Sequence, residues 1–462
     1  MENADIASAR HWFIRRALLP EGWASNVRMS AAAGKITAIE ADALPHAQDV
    51  RLELTIPGMG NVHSHAFQRG MSGLTERRGP ANDSFWTWRD LVYRFVGGLD
   101  PDQTEAIAAF AFAEMLEEGF TRVGEFHYLH HDRDGRAYSN PGEMAQRIMA
   151  AGESAGIALT LLPVFYAHAG FGGQPPGAGQ RRFVNDPDSF AKLVENARAA
   201  ARGMPHMIVG IAPHSLRAVT PAELAAIVQL APDAPIHIHV AEQLQEVRDC
   251  LAWSGIRPTR WLLENAPVDP RWCLIHATHL DEGEVAALAG SGAVAGLCPM
   301  TEANLGDGIF PFAAYGREDG RYAIGTDSNV HISMTSELAL LEYGQRLATR
   351  ARNIAARGPG GSTGAALFAA GLSGGDQALG AQPAMTIGAD ASFVVLDPDH
   401  PMFIGRSDHD ILDSLIFGRS RGAIAEVWSR GARVVAEGRH VARETLARRY
   451  RAVMKTLLTH DG

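Results

Sequence analysis

Short apolar runs alternate with amphipathic helical patterns through the middle of the chain, and this alternation restricts the folds open to it. Eight strand-like runs occur within residues 54–330, and most are followed by a helical pattern that begins at Asp, Ser or Thr. The runs are LTIPGMGNVHSH, TRVGEFHYLHH, LTLLPVFYAH, MIVGIAPHS, PIHIHVAE, WCLIHATHL, AVAGLCPM and YAIGTDSNV. Eight such units predict an α/β fold, a (β/α)8 TIM-like barrel. A doubly wound sheet is the alternative, but no G-x-G-x-x-G opens a helix.

Both ends of the chain have a different, β-rich character. Residues 11–57 contain hairpin-like strands, and ASFVVLDPDHP and AIAEVWSRGARVVAEGRHV near the other end are similar. A final helical pattern, RETLARRYRAVMKTLL, closes the chain. We therefore predict a small β-sandwich built from residues 1–57 and 379–462, the latter with the terminal helix, around a barrel at residues 58–378.

Charge and composition narrow the classes of partner. The net charge is −10 and no basic run exceeds two residues, which argues against nucleic acid and anionic membranes. No stretch approaches the roughly 18 apolar residues of a membrane span, and the N-terminus lacks a signal-peptide pattern. The three cysteines are dispersed and odd in number, which indicates a reducing compartment. We expect a cytoplasmic protein.

Polar side chains concentrate where the predicted barrel strands end. In a barrel this is the face that carries the active site. Seven of the eight runs end in or just before such residues: His63, His65, Glu125, His127, Tyr128, His168, His214, His239, Glu242, His276, His279 and Asp327. Only AVAGLCPM lacks one. This concentration of imidazoles and carboxylates indicates a metal site.

The candidate metal ligands are His63, His65, His239 and Asp327. Alternate residues of a strand share a face, so the two rings of the H-x-H pair point the same way. Imidazole nitrogens with one carboxylate are typical of catalytic zinc. His237 shares the face of His239 but lies earlier in its strand, which indicates a core histidine. The alternative for Asp327 is the N-cap of the next helix.

Glu242 lies three residues past His239, on the rim beyond the predicted ion. A carboxylate there can move protons during hydrolysis. The alternative is a glutamate that caps the following helix or forms a salt bridge. His276 ends its strand, whereas His279 falls in the next turn, where we expect a structural role.

The H-x-H pair, HIHVAE, IHATH and IGTDS resemble the mononuclear aminohydrolase branch of the amidohydrolase superfamily over nearly the whole chain. The resemblance implies one Zn²⁺ held by the four candidate ligands, with Asp327 also acting in catalysis. It implies that His276 orients or polarises the hydroxide bound to the ion, and that Glu242 shuttles protons. Iron, manganese or cobalt would also suit the donors. A lysine-bridged pair of metals is excluded, because Lys35, Lys192 and Lys455 fall outside the barrel strand ends.

Four further stretches narrow the resemblance within that branch: GNVHSHAFQRGMSGLTER, FWTWRDLVYR, GEFHYLHHD and APHSLRAV. They are similar to those of members that hydrolyse a small dianionic amidine, N-formimidoyl-L-glutamate, to N-formyl-L-glutamate and ammonia in histidine degradation. The resemblance also implies a homodimer. Its implied substrate contacts are Gln68 and His214 at the formimidoyl end, and Arg89, Tyr128 and Arg217 at the carboxylates.

Other interpretations stay open at this point. Arg89 could be a helix-surface residue paired with Asp90, and Arg217 a solvated loop charge. Another aminohydrolase, acting on a nucleobase or a different amidine, could use the same scaffold, and so could a non-catalytic barrel with a structural metal. Nothing in the sequence assigns a further set of arginines: Arg69, Arg77, Arg78, Arg181 and Arg182.

Overall fold

The computed structural model describes residues 9–78, 85–418 and 421–459. Its strands are β1 (Arg10–Leu19), β2 (Gly22–Ala32), β3 (Lys35–Glu40), β4 (Val50–Pro57), β5 (Met59–Ser64), β6 (Phe120–His127), β7 (Ala158–Phe165), β8 (Met207–Val209), β9 (Ala212–Pro213), β10 (Ile236–Val240), β11 (Trp272–His276), β12 (Val294–Leu297), β13 (Arg321–Ile324), β14 (Phe393–Leu396), β15 (Ile424–Ser429), β16 (Ala432–Ala436) and β17 (Arg439–His440).

The helices alternate with the barrel strands and continue beyond them. They are α1 (Phe85–Gly98), α2 (Pro101–Glu117), α3 (Glu143–Ala155), α4 (Pro187–Ala201), α5 (Pro221–Val228), α6 (Leu244–Ser254), α7 (Pro258–Asn265), α8 (Glu282–Ser291), α9 (Pro299–Leu305), α10 (Phe312–Arg317), α11 (Met334–Thr349), α12 (Thr363–Ala378), α13 (Asp408–Phe417) and α14 (Arg443–Leu458). Within the described residues, no helix is both long enough and apolar enough to cross a bilayer.

Parallel strands close into a barrel through the middle of the chain. β5 to β8 pair in order, and so do β10 to β13. A bridge between Ile211 and Ile236 joins the two halves on one side, and one between Ser64 and Asp327 closes the ring on the other. Nearly all residues of these strands are buried, which explains their continuous apolar runs. The predicted barrel is confirmed.

The fourth barrel strand is broken, which its sequence did not indicate. MIVGIAPHS forms two short strands, β8 and β9, with Gly210 between them. A Cβ on Gly210 would lie 2.4 Å from the backbone oxygen of Pro235. Only glycine permits this close approach of β10.

Several outer helices begin at the capping residues that the sequence predicted. Asp100 accepts a hydrogen bond from the backbone N–H of Gln103 at the start of α2, and Asp281 accepts one from Glu284 at the start of α8. Thr220 caps α5 in the same way. Each cap satisfies a backbone donor that the helix itself leaves unpaired.

The two chain ends form one eight-stranded sheet with the order β17-β16-β15-β14-β4-β1-β2-β3. All neighbours are antiparallel except β1 and β4. The backbone N–H of Ile36 donates to Ala389 at 2.9 Å, so the β3 edge curls back towards the segment before β14. Trp12, Phe393 and Trp428 fill the interior. The β-sandwich made from both ends is confirmed.

The ends of β4 at Pro57 and of α12 at Ala378 lie at the junctions between this sheet and the barrel. The domain boundaries at 57/58 and 378/379 stay predictions. The terminal helix α14 packs on the barrel helix α2, where the rings of Tyr450 and Phe110 stack at 4.3 Å between centroids. Arg449 also donates to Glu105 at 2.7 Å.

A cavity of about 210 Å³ lies between the sheet and the N-terminal end of the barrel. Its charges are largely paired with each other. Asp390 contacts Lys35 at 2.8 Å and Arg122 at 2.9 Å. Asp376, on α12, accepts a hydrogen bond from the backbone N–H of Ala384 at 2.9 Å. This cavity is therefore a polar joint between the two parts of the molecule.

Candidate metal centre and active site

Four side chains converge at the C-terminal end of the barrel. His63 and His65 come from β5 and its end, His239 from β10, and Asp327 from the turn after β13. The Nε2 atoms of His63 and His239 lie 3.0 Å apart. Asp327 Oδ1 lies 3.3 Å from His63 Nε2 and 3.4 Å from His65 Nε2. Two overlapping groups of possible ligand atoms share His63: one contains His65 and Asp327, the other His239 and His276.

The spacing of these atoms fits a metal ion. Ligands about 2.1 Å from a tetrahedral zinc lie about 3.4 Å from each other. The ring orientation also fits, because the Nδ1 atoms, which face away from the shared point, make hydrogen bonds to backbone oxygens. His65 Nδ1 donates to the backbone oxygen of Phe126 at 3.0 Å, and His239 Nδ1 donates to that of His214 at 2.9 Å. Their Nε2 lone pairs are then directed at the shared point.

Charge in this cluster also suits a dication. Burial lowers the pKa of His63 to about 3 and that of His239 well below its usual range, so both rings are neutral at neutral pH. Burial acts to raise the pKa of Asp327, but the hydrogen bond with His63 and the neighbouring imidazoles hold it below its usual range. Burial lowers the pKa of His65 as well, so three neutral imidazoles and one carboxylate make a donor set with a single negative charge.

Backbone strain accompanies the cluster. Asp327 has φ of 43° and His276 has φ of 67°, values in the left-handed region that non-glycine residues rarely adopt. The turn at Asp327 is held by its N–H, which donates to the His63 oxygen at 2.9 Å. Ser333 caps the next helix, α11, so Asp327 does not serve as its N-cap.

Glu242 faces the cluster from the rim. Its carboxylate lies 3.8 Å from His276 Nε2, which is also 3.8 Å from Asp327 Oδ2. Glu246 accepts the backbone N–H groups of Ala241 and Glu242, at 3.1 and 3.3 Å. Gln243 is the N-cap residue of α6 and no side chain caps that helix, so Glu242 does not have the capping role considered for it.

Electrostatics distinguish Glu242 and His276 from ordinary side chains of their types. Burial raises the pKa of Glu242 to about 7, against the opposing charges of His276 and Arg217. Burial acts to lower the pKa of His276, but the charge of Glu242 and a hydrogen bond with Glu302 raise it to about 10. Pairs of titratable groups with displaced pKa values are typical of proton-transfer sites.

The predicted substrate residues line the same cavity as His65, His239 and Glu242. They are Gln68, Arg89, Tyr128, His214 and Arg217. Gln68 follows the H-x-H pair in a 3-10 turn at Ala66–Met71, and its buried Oε1 has no hydrogen-bond partner. Its Nε2 lies 3.4 Å from the Tyr128 hydroxyl. An unpartnered acceptor in the cavity suits a ligand N–H.

The two cavity arginines are not solvent-facing charges. Arg217 is largely buried and lies 4.0 Å from Glu246. Burial acts to lower its pKa, but Glu246 and Glu242 raise it, so it remains a cation. Arg89 extends from α1 into the cavity, with its guanidinium 5.5 Å from the centre of the Tyr93 ring, whereas Asp90 is exposed.

Several strand-end residues lie away from this cavity. Glu125 accepts the backbone N–H of Ala66 at 2.8 Å, and His168 contacts Glu223 at 2.9 Å. The His127 ring packs against that of His130. The His279 backbone N–H donates to Ala241. His237 is fully buried, and its Nε2 donates to the oxygen of Ala378 at 2.8 Å, as expected of a core histidine.

Three of the five unassigned arginines have structural contacts. Arg69 contacts Glu114 at 2.6 Å and donates to the Asn329 oxygen at 3.3 Å, so it ties the 3-10 turn to α2 and to the turn that bears Asp327. Arg182 is buried and donates to the oxygens of Val96, Leu99 and His131; Arg181 donates to Arg133. Arg77 and Arg78 are exposed.

Sequence reasoning missed part of the cavity wall and one buried glutamate. Trp88, Tyr93, Tyr166 and Phe183 line the cavity. Tyr166 comes just after β7, so the strand-end rule that selected Tyr128 could have found it. Glu302 lies on α9, after the one predicted strand without a polar end residue, and no spacing signal marked it.

Comparisons with known proteins agree with this geometry. The chain belongs to the amidohydrolase family, whose model matches residues 54–434. Residues 11–53 match a second model, the N-terminal domain of formimidoylglutamate deiminase HutF. The formimidoylglutamate deiminase of Pseudomonas aeruginosa is 50% identical over 450 residues, which cover 96% of this chain and 99% of that one. The family resemblance predicted from the sequence is confirmed.

More distant relatives and solved structures extend the comparison. The 8-oxoguanine deaminase of Pseudomonas aeruginosa is 28% identical over 66% of this chain and 67% of its own. The crystal structure of an amidohydrolase from Brucella melitensis has a TM-score of 0.94 and 52% identity, covering 97% of this chain and all of that one. An adenosine deaminase from Xanthomonas campestris, solved with bound zinc, covers 97% of this chain and 98% of its own with a TM-score of 0.79 at 21% identity, which shows the fold alone.

Proposed function

We propose that this chain is a deiminase that hydrolyses N-formimidoyl-L-glutamate to N-formyl-L-glutamate and ammonia. The observation that carries the proposal is its 50% identity, over nearly the full length of both chains, to a formimidoylglutamate deiminase. Deaminases of nucleobases and nucleosides are more distant relatives. In the reaction, one water molecule adds to the formimidoyl carbon and the C–N bond to the terminal nitrogen breaks.

The cavity chemistry supports a dianionic substrate. We assign Arg89 and Arg217 to the two carboxylates, because guanidinium groups bind carboxylates with paired hydrogen bonds. The Tyr128 hydroxyl supplies a further donor. We assign Gln68 and His214 to the formimidoyl head. Burial holds the pKa of His214 well below its usual range, so its ring is neutral and one ring nitrogen can accept a hydrogen bond from an amidine N–H.

We propose one Zn²⁺ held by His63, His65, His239 and Asp327. Two buried groups among the described residues support this assignment: His63 with His65 and Asp327, and His63 with His239 and His276. When bound, such an ion supplies Lewis-acid activation of water. The donor set also accepts other first-row divalent metals.

We assign proton transfer to Glu242, His276 and Asp327. We propose that Asp327 Oδ2 accepts the proton that the attacking water gives up and that His276, whose Nε2 lies 3.8 Å away, positions it. Glu242, whose pKa burial raises to about 7, then carries a proton to the departing nitrogen, so that ammonia leaves. The reaction needs no organic cofactor.

We further propose a cytoplasmic homodimer that acts in histidine degradation. All three cysteines are buried free thiols, which suits a reducing compartment. The dimer rests on the family resemblance, and light scattering in solution tests it. The net charge of −10 argues against nucleic acid as a partner.

Ammonia release from N-formimidoyl-L-glutamate tests the function. N-formimidoyl-L-aspartate serves as the chain-length control, and adenosine and 8-oxoguanine represent the alternative deaminases. We expect turnover with the glutamate compound and none with the purines. Turnover of a purine without turnover of the amidine would overturn the proposal.

A further inference from the structure

We infer that Glu302 is a positioning residue that holds the proton of His276 on Nδ1 and thereby directs Nε2 into the reaction site. The inference rests on the proposed function, because His276 acts in the proposed proton movement. Glu302 was selected neither by the strand-end pattern nor by the family resemblance. Its place is on α9, on the far side of the His276 ring from the cavity centre.

The two nitrogens of the His276 ring make different contacts. His276 Nδ1 lies 3.2 Å from Glu302 Oε1, whereas Nε2 faces Glu242 and Asp327, each at 3.8 Å. The ring is only 1% exposed, so bulk solvent does not compete with Glu302 for Nδ1. In a histidine, the hydrogen bond made by one nitrogen determines which nitrogen carries the proton.

Glu302 is itself held in one orientation. The same Oε1 accepts the backbone N–H of Cys298 at 2.9 Å, and the Glu302 N–H donates back to the Cys298 oxygen. A carboxylate accepts hydrogen bonds and donates none. In the hydrogen bond between His276 and Glu302, the donor must therefore be the Nδ1–H of His276. Nε2 is then the nitrogen free to gain and lose a proton at the reacting atoms.

A second metal ion offers a competing interpretation of these residues. His276, Cys298 and Glu302 place three possible ligand atoms within 4.8 Å of one another. Burial raises the pKa of the Cys298 thiol well above its usual range, which opposes the thiolate form that binds metal. Metal analysis separates the two interpretations, since a second ion requires two equivalents per chain.

Nitrogen-15 spectra of the zinc-loaded protein, labelled at histidine, test the tautomer directly. The signals of His276 are assigned by their loss in H276N. In spectra recorded over a pH series that reaches the neutral ring, we expect a protonated Nδ1 in the wild type, and a shift of the proton towards Nε2 in E302L, which removes the acceptor. An unprotonated Nδ1 in the wild type, or two bound ions per chain, would overturn the inference even if the variant fails to fold.

Kinetics supply the second readout. In E302L we expect kcat to fall by about 10–10²-fold with KM nearly unchanged, because an orienting partner is lost but no substrate contact is. E302Q, which keeps an acceptor oxygen, should recover part of kcat. Equal losses in E302L and E302Q would contradict the role.

Glu337 provides a matched control. It is also a buried glutamate, and its carboxylate accepts the backbone N–H of Met300 at 2.9 Å, two residues from Cys298. No hydrogen bond or ion pair joins it to His276 among the contacts of the described residues. E337L should leave the His276 spectrum unchanged. If no substrate in the panel is turned over, the function fails, but the spectrum still decides the inference.

Discussion

The carboxylate of Glu246 accepts the backbone N–H of Glu242 at 3.3 Å. These two glutamates, four residues apart on one rim, make different side-chain contacts. Glu246 holds the backbone of the turn that precedes α6, and the Glu242 carboxylate lies 3.8 Å from His276. This division gives the proposed acid–base role of Glu242 a direct test.

Substituting Glu242 by Gln should abolish proton transfer and leave the metal site intact. We expect kcat to fall by about 10²–10⁴, the usual contribution of a general acid or base, with one metal ion still bound. Steady-state kinetics and elemental analysis measure the two effects. The exposed Glu264→Gln is the control and should retain full activity. Full turnover in E242Q would show that another group moves the proton.

Substituting Arg217 by Met should weaken substrate binding and leave metal binding unchanged. A buried guanidinium that binds a carboxylate contributes several kcal/mol, so we expect kcat/KM to fall by about 10²-fold. Arg181→Met, on a loop where the guanidinium contacts only backbone oxygens, is the control. An unchanged kcat/KM in R217M removes Arg217 from the carboxylate site.

The two histidines of β10 should differ in their effect on the metal. H239N removes a proposed ligand, so we expect loss of the ion and of activity, with about one equivalent bound in the wild type. H237N removes only a hydrogen bond to the Ala378 oxygen, so the ion should remain although the melting temperature falls. Retention of a full equivalent of metal by H239N would contradict the ligand set.

Asp376, at the joint between the barrel and the sheet, should make stability depend on pH. Burial raises its pKa to about 7 from its ordinary value of 3.8. Between these values the folded chain binds a proton that the unfolded chain has released. The stabilisation is therefore present at low pH and is lost as the pH rises through about 7. Across pH 5 to 8 the contribution is about 2–3 kcal/mol.

Urea unfolding at pH 5 and pH 8 measures this dependence, which D376N should flatten. Asp390, in the same joint, has the opposite effect on the pH dependence of stability. Burial acts to raise its pKa, but Arg122 and Lys35 lower it, so its stabilisation is lost as the pH falls. D390N should reduce the pH dependence of the free energy of unfolding on the acid side only. An unaltered pH dependence in D376N would contradict the raised pKa.

Periodicity predicted most of the fold because each element carries its own pattern. The barrel strands are buried on both faces and read as apolar runs, and capping residues such as Asp100 and Asp281 mark helix starts. The break at Gly210 was not predicted, because it depends on the approach of Pro235 from the next strand. The packing of α14 on α2 likewise depends on contacts distant in sequence.

The sequence by itself determined the barrel, the sheet made from both ends, and the presence of His63, His65, His239 and Asp327 at strand ends. Residue type and spacing carry that information, because strand ends of a barrel meet on one face. Only the tertiary structure decided that Glu246 holds the turn before α6 while Glu242 faces His276, and that Glu302 also faces His276. Those relationships depend on side-chain direction and burial across separate elements, which no local pattern encodes.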